Sequence, residues 1–467
     1  MRLFSDADHG RRAQAFLPGG DAMKIGTIRL AIGLLTALAA CANPLPAQEL
    51  VPPAQIIPVM PTVEFEPAKP RNDRPSELKQ VGYVTGEEQP AQAPVVDFAP
   101  AGNADAYHFW ARLEYLRWYV TRPPVAVPLL STNAPPAIGA LNEAGTTVLF
   151  GAGSGQDATF GSISGGRLTI GGWLEKNYEY GWELTGFFLE QRNSLFNANT
   201  PGGAAAIISL PFNAVAPFTV GGIVNPAGET SLSAGGAPTD ASVLLKSQLW
   251  GMELNELVYL WANDYCYITG VLGLRYLGLS ERLTLNYTTL DPANNGALTV
   301  TDDFNASNHY AAAQLGARFG GTVGRFTWDT AMMFMAGPLR QIVQTTGTTT
   351  VTGGAFGFAD GATAAGLFAE PSNFGSHERN VVAYGTEMQF KLGFAVTPRL
   401  QPFIGYNLLY VNNVARPGNQ IDRNINITQN PFFVPPGTLA GETAPAAPVI
   451  RSEFWAHGVQ VGVELRY

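Results

Sequence analysis

The sequence predicts an all-β protein, an antiparallel transmembrane β-barrel of about ten strands, with about 8 to 14 fitting the pattern. Three observations predict it. Charged residues make up 14% of the 467 positions and hydrophobic residues 46%, far below the roughly one-quarter charge of soluble domains. Beyond the N-terminal region no run reaches the ~18 apolar residues that a membrane helix needs; the apolar residues are dispersed among 52 glycines. The chain also closes on Val459, Val461, Val463, Leu465 and Tyr467, alternating with Gln460, Gly462, Glu464 and Arg466. That period of two is what a strand shows when one face meets lipid and the other a polar interior.

The N-terminal region comes first. Met23-Lys24 and Arg29 precede an apolar stretch from Leu30 to Ala40, followed by small residues and prolines to Ala47. A basic start, an apolar middle too short to span a bilayer and a small-residue exit make residues 1–47 a secretory signal region. Met23 is a candidate true start, with cleavage after Ala47. Leu38-Ala39-Ala40-Cys41 offers a second reading as a lipobox whose cysteine carries lipid. Either reading sends the chain out of the cytoplasm. With Cys41 in that segment, Cys266 is left without an intramolecular disulfide partner and is expected to act as a small apolar residue.

Residues 48–106 form a linker. Positions 51–100 hold ten of the 34 prolines, with scattered charge and no apolar period, so ordering them would cost more than burial returns. Preceding the first strand, the linker is expected in the periplasm, where a peptidoglycan contact is conceivable.

The barrel occupies residues 107–467. Strands are predicted at about 108–119, 163–174, 180–192, 244–260, 265–285, 308–320, 324–344, 378–395, 399–414 and 454–467. In the first, Phe109, Ala111, Leu113 and Tyr115 alternate with Arg112 and Glu114; in the eighth, Met388, Phe390, Leu392 and Phe394 alternate with Glu387, Gln389 and Lys391. Links near 175–179, 261–264, 321–323 and 396–398 are short and carry turn residues such as Asn177, Asn263-Asp264 and Pro398. Links at 121–162, 193–243, 286–307, 345–377 and 415–453 are long and rich in Gly, Ala, Thr, Asn and Pro. Strict alternation of short and long links fits tight periplasmic turns, long external loops and both termini on the periplasmic side. Trp110, Trp118, Tyr180, Trp182, Trp328, Tyr406 and Tyr410 are candidates for interfacial girdles.

These residues resemble the beta-barrel porin-7 family of bacterial outer-membrane proteins from about residue 108 to the end. The resemblance rests on Phe109-Trp110-Ala111-Arg112-Leu113-Glu114-Tyr115-Leu116, Gly165-Gly166-Arg167-Leu168 and Leu249-Trp250-Gly251-Met252-Glu253-Leu254-Asn255. It continues through Gly273-Leu274-Arg275-Tyr276-Leu277, Gln314-Leu315-Gly316-Ala317, Pro371-Ser372-Asn373, Arg416-Pro417-Gly418-Asn419-Gln420-Ile421-Asp422 and Phe454-Trp455-Ala456-His457-Gly458-Val459. It implies a signal-bearing integral protein of the bacterial outer membrane. The terminal aromatic strand resembles the signal read by the barrel assembly machinery, which together with outer-membrane lipids makes the expected partners.

Conduction, catalysis and surface attachment are the competing functions. Ten strands lie near the closed end of barrel sizes, since about eight are filled by side chains and about sixteen leave a pore. Alternation places Glu114, Glu183, Glu253, Asp329, Glu387 and Glu464 inside with Arg112, Arg167, Arg275, Arg318 and Lys391. Charges in so narrow a space must pair to offset desolvation, which predicts a plugged interior with at most a thin water path. A hydrolase needs a base beside a nucleophile. The histidines after the leader are His108, His309, His377 and His457; His377, in Ser376-His377-Glu378, is the best placed, yet a solvated loop histidine is the simpler reading. No catalytic, cofactor or metal residue is assigned, and the protein is expected not to be an enzyme. Asp303-Phe304-Asn305-Ala306-Ser307 begins like a calcium loop, but Asn308 and Gln314 occupy the positions that require glycine and glutamate, so it reads as a polar loop. Gly151-Ala152-Gly153-Ser154-Gly155 lacks the strand-to-helix context of a phosphate cradle and reads as a flexible loop. The net charge of −9 gives no reason to expect nucleic acid. A structural or adhesive role, with the loops facing outward and a surface partner, is the third class.

Overall fold

The computed structural model describes residues 109–467 apart from 156–158, 175–178, 221–222, 264 and 434–440. The signal region, the Cys41 lipobox, the linker and His108 lie outside the described residues.

Ten strands form the barrel: β1 Phe109–Val120, β2 Ser162–Trp173, β3 Tyr180–Leu189, β4 Thr239–Ala262, β5 Cys266–Asp291, β6 Gly296–Val323, β7 Phe326–Thr352, β8 Gly375–Phe394, β9 Leu400–Ala415 and β10 Arg451–Arg466. Each is antiparallel to the next, and β10 pairs with β1 from Arg466↔Trp110 to Ala456↔Val120. The ring therefore has no free edge at this level, as a bilayer requires, because unpaired backbone groups there cost several kcal/mol. The seam is completed beyond β10 itself: Phe109 and Tyr467 exchange backbone hydrogen bonds of 3.1 and 2.9 Å.

The alternation sorts side chains as expected. On β1, Leu113 and Tyr115 are 63% and 51% exposed, whereas Arg112 and Glu114 between them are buried inside. The same division runs round the ring, with Leu254, Leu274, Phe334, Leu392, Ile404 and Val461 outside.

Strand height is uneven, and here the structure corrects the sequence reading. The link at 286–307 is largely strand, not loop, and the link at 345–377 begins as strand, to Thr352. β5, β6 and β7 run 26, 28 and 27 residues, against the ~9–11 needed to cross a bilayer; β1 and β2 have 12 each. β3 is continued by a separate strand, Arg192–Thr200, which pairs with β4 from Ser247 to Thr239. The reason the extensions read as loops is an inversion of polarity at constant phase. Along β6 the inward residues change from Arg318 and Gln314 to Tyr310, Phe304 and Val300, while the outward ones change from Leu315 to Asn305, Thr301 and Thr299. An outward stripe of Thr and Asn resembles loop composition, yet it is what a strand shows to water when its other face packs on a core. Asp303-Phe304-Asn305-Ala306-Ser307 accordingly lies within β6, where Asp303 accepts two bonds from Arg282 Nε at 2.9 and 2.7 Å.

The remaining long links build a cap. Pro128–Asn133, Thr147–Gly151, Ile207–Ala214 and Gly228–Leu232 form one antiparallel sheet, joined in parallel by Asn424–Ile425. Leu129, Leu130, Leu210, Phe212 and Ile425 of this sheet share one apolar core with Leu245, Leu283 and Phe304 of the tall wall. Gly151, expected in a flexible loop, instead ends a strand at φ +101°, and a Cβ there would meet the Val127 carbonyl oxygen at 2.3 Å. Only glycine fits that close approach.

Two girdle expectations also change. Trp118 is fully buried inside the barrel, its ring 5.6 Å from that of Phe187, and Trp110 turns inward to donate to Glu183 at 3.2 Å. The outward aromatic clusters are Trp250 with Tyr276, Tyr410 with Trp455, and Tyr119 and Tyr406 around His457, so the candidates Tyr406 and Tyr410 do face outward. Cys266, which opens β5, is half-buried.

The barrel interior as the candidate functional site

Every one of the eleven charged residues placed inside by alternation is inside, and the strands bring them into one network. Glu183 on β3 is gripped by Arg112 of β1 and by Arg318 of β6 at 2.9 Å. Arg112 also reaches Glu464 of β10 at 3.0 Å, and Asp329 of β7 lies 3.4 Å from Lys391 and 3.9 Å from Arg318. Above them, Glu387 of β8 pairs with Arg275 of β5 and with Arg167 of β2 at 3.3 Å. Arg167 also approaches Glu114 at 3.7 Å, and Arg275 approaches Glu253 at 3.8 Å. These pairs span the bore, and Glu183 and Glu387 each sit between guanidinium groups from two other strands. Because the side chains are out of water, unpaired members would be costly, and shared pairing is the arrangement that tolerates burial.

Neutral residues that charge patterning did not single out complete the network. Gln314 donates to Glu253 at 2.9 Å, Asn407 donates to Glu387, Gln389 donates to Glu387 at 2.9 Å, Gln460 accepts from Arg167 at 3.1 Å, and the Tyr267 hydroxyl donates to Asp329 at 2.7 Å. Their inward parity was available in the sequence; the exclusive attention to charge missed them. What remains open between Glu114, Arg167, Glu183, Glu253, Arg318 and Glu387 is a cavity of about 20 Å³, room for about one water.

Arg167 marks the top of the polar layer, its guanidinium lying 5.4 Å over the Trp118 ring and 5.6 Å over Phe187. Beyond it the interior is apolar, with Leu116, Leu189, Leu249, Leu277 and Leu279 continuing into the cap core. One ion pair crosses that core: Arg416, the first residue after β9, is bound to Glu281 of β5, donates to the Thr121 carbonyl at 3.0 Å and lies over Phe454. All of Pro417-Gly418-Asn419-Gln420 is buried behind it, so this turn belongs to the folded interior.

The described histidines each engage a tyrosine hydroxyl or a backbone carbonyl. His309 and His457 lie on the outer surface, each 2.7 Å from a tyrosine hydroxyl, of Tyr276 and Tyr406. A ring nitrogen of His377 meets the Asn373 carbonyl at 3.3 Å, and Glu378 pairs with Arg340 on the exposed face at 2.7 Å. Among the described residues no cluster of three or more His, Cys, Asp or Glu side chains is placed to hold a metal.

The sequence profile of the beta barrel porin-7 family matches residues 110–467. No curated protein matches the chain. Solved structures that align with the chain include the outer-membrane protease OmpT from Escherichia coli, at 10% identity and a TM-score of 0.39, covering 79% of this chain and 100% of that one. A Pseudomonas aeruginosa FadL homologue aligns at 6% identity and a TM-score of 0.20, covering 78% and 90%. The CymD monoaromatic hydrocarbon channel aligns at 9% and 0.17, covering 78% and 89%.

Proposed function

This chain belongs to the beta barrel porin-7 family, an outer-membrane β-barrel fold, and from that premise we propose a sealed barrel that anchors a structured cap at the cell surface, without catalysis and with at most trace permeability. The single observation that carries this reading is the continuous filling of the bore: an interlocked ion-pair layer with a cavity of about 20 Å³, then an apolar core that includes the cap. Hydrated solutes need a continuous water path, and an apolar constriction dewets. In this reading the short turns and both ends of the barrel domain face the periplasm, and the tall wall and cap face outward. Outer-membrane lipids contact the apolar belt, the assembly machinery reads the β10 end, and a surface partner contacts the cap; nucleic acid is not a partner. The engagement of His377 with a backbone carbonyl and of Glu378 with Arg340 supports the non-catalytic part.

The test is reconstitution in a planar bilayer, using protein whose mobility on a gel shifts on boiling as a folded barrel's does. The expected record is free of large, stable conductance steps. Regular steps of uniform size would overturn the sealed-barrel reading.

A further inference from the structure

The segment joining β7 to β8 folds back over the inner face of the tall wall, and a pair of carboxyl groups fastens it there. After Thr352 the chain makes a short strand, Gly361–Thr363, against β7, and then turns inward. The backbone N–H groups of Leu367, Phe368 and Ala369 all donate to one oxygen of Asp302 on β6, at 3.0, 3.0 and 2.7 Å. The turn is so tight that a Cβ on Gly366 would sit 2.0 Å from that oxygen. Glu370 follows, its backbone N–H donating to Asn373 Oδ1 at 2.9 Å and its carboxylate accepting from Asn430 at 3.1 Å. Asn430 comes from the β9–β10 loop and also donates to the Gly366 carbonyl at 2.8 Å. Three separate chain segments thus meet at two carboxyl groups.

Both carboxyls are fully buried, and each has one oxygen, Asp302 Oδ2 and Glu370 Oε2, without a hydrogen-bond partner. A buried carboxylate oxygen in that position is strongly unfavourable. Two species could relieve it, a proton or a cation. A hard cation such as calcium takes about six to eight oxygen ligands; only these two oxygens are unengaged among the carboxyls, and the nearby Gly366 and Phe368 carbonyls already accept from Asn430 and Asn373. A proton needs only one oxygen to carry it. Burial pushes the Asp302 carboxyl up as well, to about 7 against its three N–H donors, and Glu370, with a single amide donor, is raised further and is the group that keeps the proton.

We propose that Asp302 and Glu370 act as a proton-dependent clasp, which holds Leu367 and Phe368 in the core and releases the β7–β8 segment when the proton is lost. Asp302 is the charged group that bears on Glu370; the other neighbours, Asn373 and Asn430, are neutral. Burial first, and the Asp302 charge second, push the Glu370 carboxyl up to about 9. A raised acid pKa means the folded state binds the proton that the opened state gives up, so closure is fully supported at acid pH and lost as pH rises through about 9.

The clasp is tested by hydrogen exchange of the 361–374 segment in the full-length protein, comparing wild type with Glu370→Gln, which keeps the neutral shape. Wild-type protection, normalised for intrinsic exchange, is expected to fall about a hundredfold between about pH 7 and about pH 10, and the variant's protection to change little, because opening grows about tenfold per unit until the Glu370 value of about 9 is passed. Parallel profiles in the two proteins would overturn the proposal. An infrared band of a protonated carboxyl at neutral pH, absent from Glu370→Gln, supports it independently of folding differences. A gain in protection on adding calcium that a chelator reverses would also overturn it, by putting a cation where the proton is placed.

Discussion

At the scale of single residues, Glu387 is the position on which the interior most depends. It receives Arg275, Arg167 and Asn407 as well as its own neighbour Gln389. Glu387→Ala leaves two buried guanidinium groups short of a counter-charge, and breaking buried pairs in this way costs roughly 3–5 kcal/mol. Denaturant unfolding in detergent micelles should report a loss in that range, with Glu387→Gln costing less because the amide still accepts. A loss below about 1 kcal/mol would mean the network is hydrated and its charges individually dispensable. At this scale the sequence was legible where a charge sat on the polar phase of a clear strand: Arg112, Glu114, Glu183, Glu387 and Lys391 are all inside. It was not legible for Glu281, Arg416, Asp302 and Glu370. Each of these is buried by contacts 60 or more residues apart in the chain, and no local pattern encodes such a meeting.

At the scale of elements, the ten strands could be found because lipid on one side and ion pairs on the other enforce a period of two. β10 illustrates what register adds. It pairs with both β1 and β9, and the two backbone bonds between Tyr467 and Phe109 extend the seam one residue past the strand. Removing Tyr467 deletes both bonds and the outermost aromatic of the closing strand, while leaving the interior ion pairs untouched. The expected result is a drop in the heat-modifiable, membrane-inserted fraction, with the protein that does insert keeping wild-type thermal stability within about 1 kcal/mol. Insertion at the wild-type level would refute a role for this residue in closure. Strand ends were less legible than strand centres. The outer halves of β5, β6 and β7 keep the phase but exchange the faces' polarity, so a search for apolar residues outside stops where the membrane belt stops. The cap strands were hidden for a different reason: Pro128–Asn133 and Ile207–Ala214 are short and lack alternation, the first buried through its centre and the second along nearly all its length.

At the scale of the whole molecule, that exchange of polarity divides one continuous wall into two regions held by different physics. In the first, ten strands close around charges that are stable because they are paired, and lipid supplies the apolar environment outside. In the second, the wall encloses a conventional apolar core completed by the cap sheet, and its outer face is polar. Hydrophobic burial drives the second region, whereas backbone closure and ion pairing hold the first. Cooperativity between them runs through the shared strands β4 to β7 and through the Arg416–Glu281 pair. Unfolding in micelles should therefore occur in two steps, with the capped region melting first because urea solvates apolar and peptide groups directly while the detergent continues to shield the belt. Leu283→Ala, which removes a fully buried side chain from the upper core, should shift the first step by roughly 2–5 kcal/mol and leave the second in place; Glu387→Ala should shift the second. A single transition displaced by both substitutions would show instead that the long strands transmit stability along their whole length, and that the two regions fold as one cooperative unit.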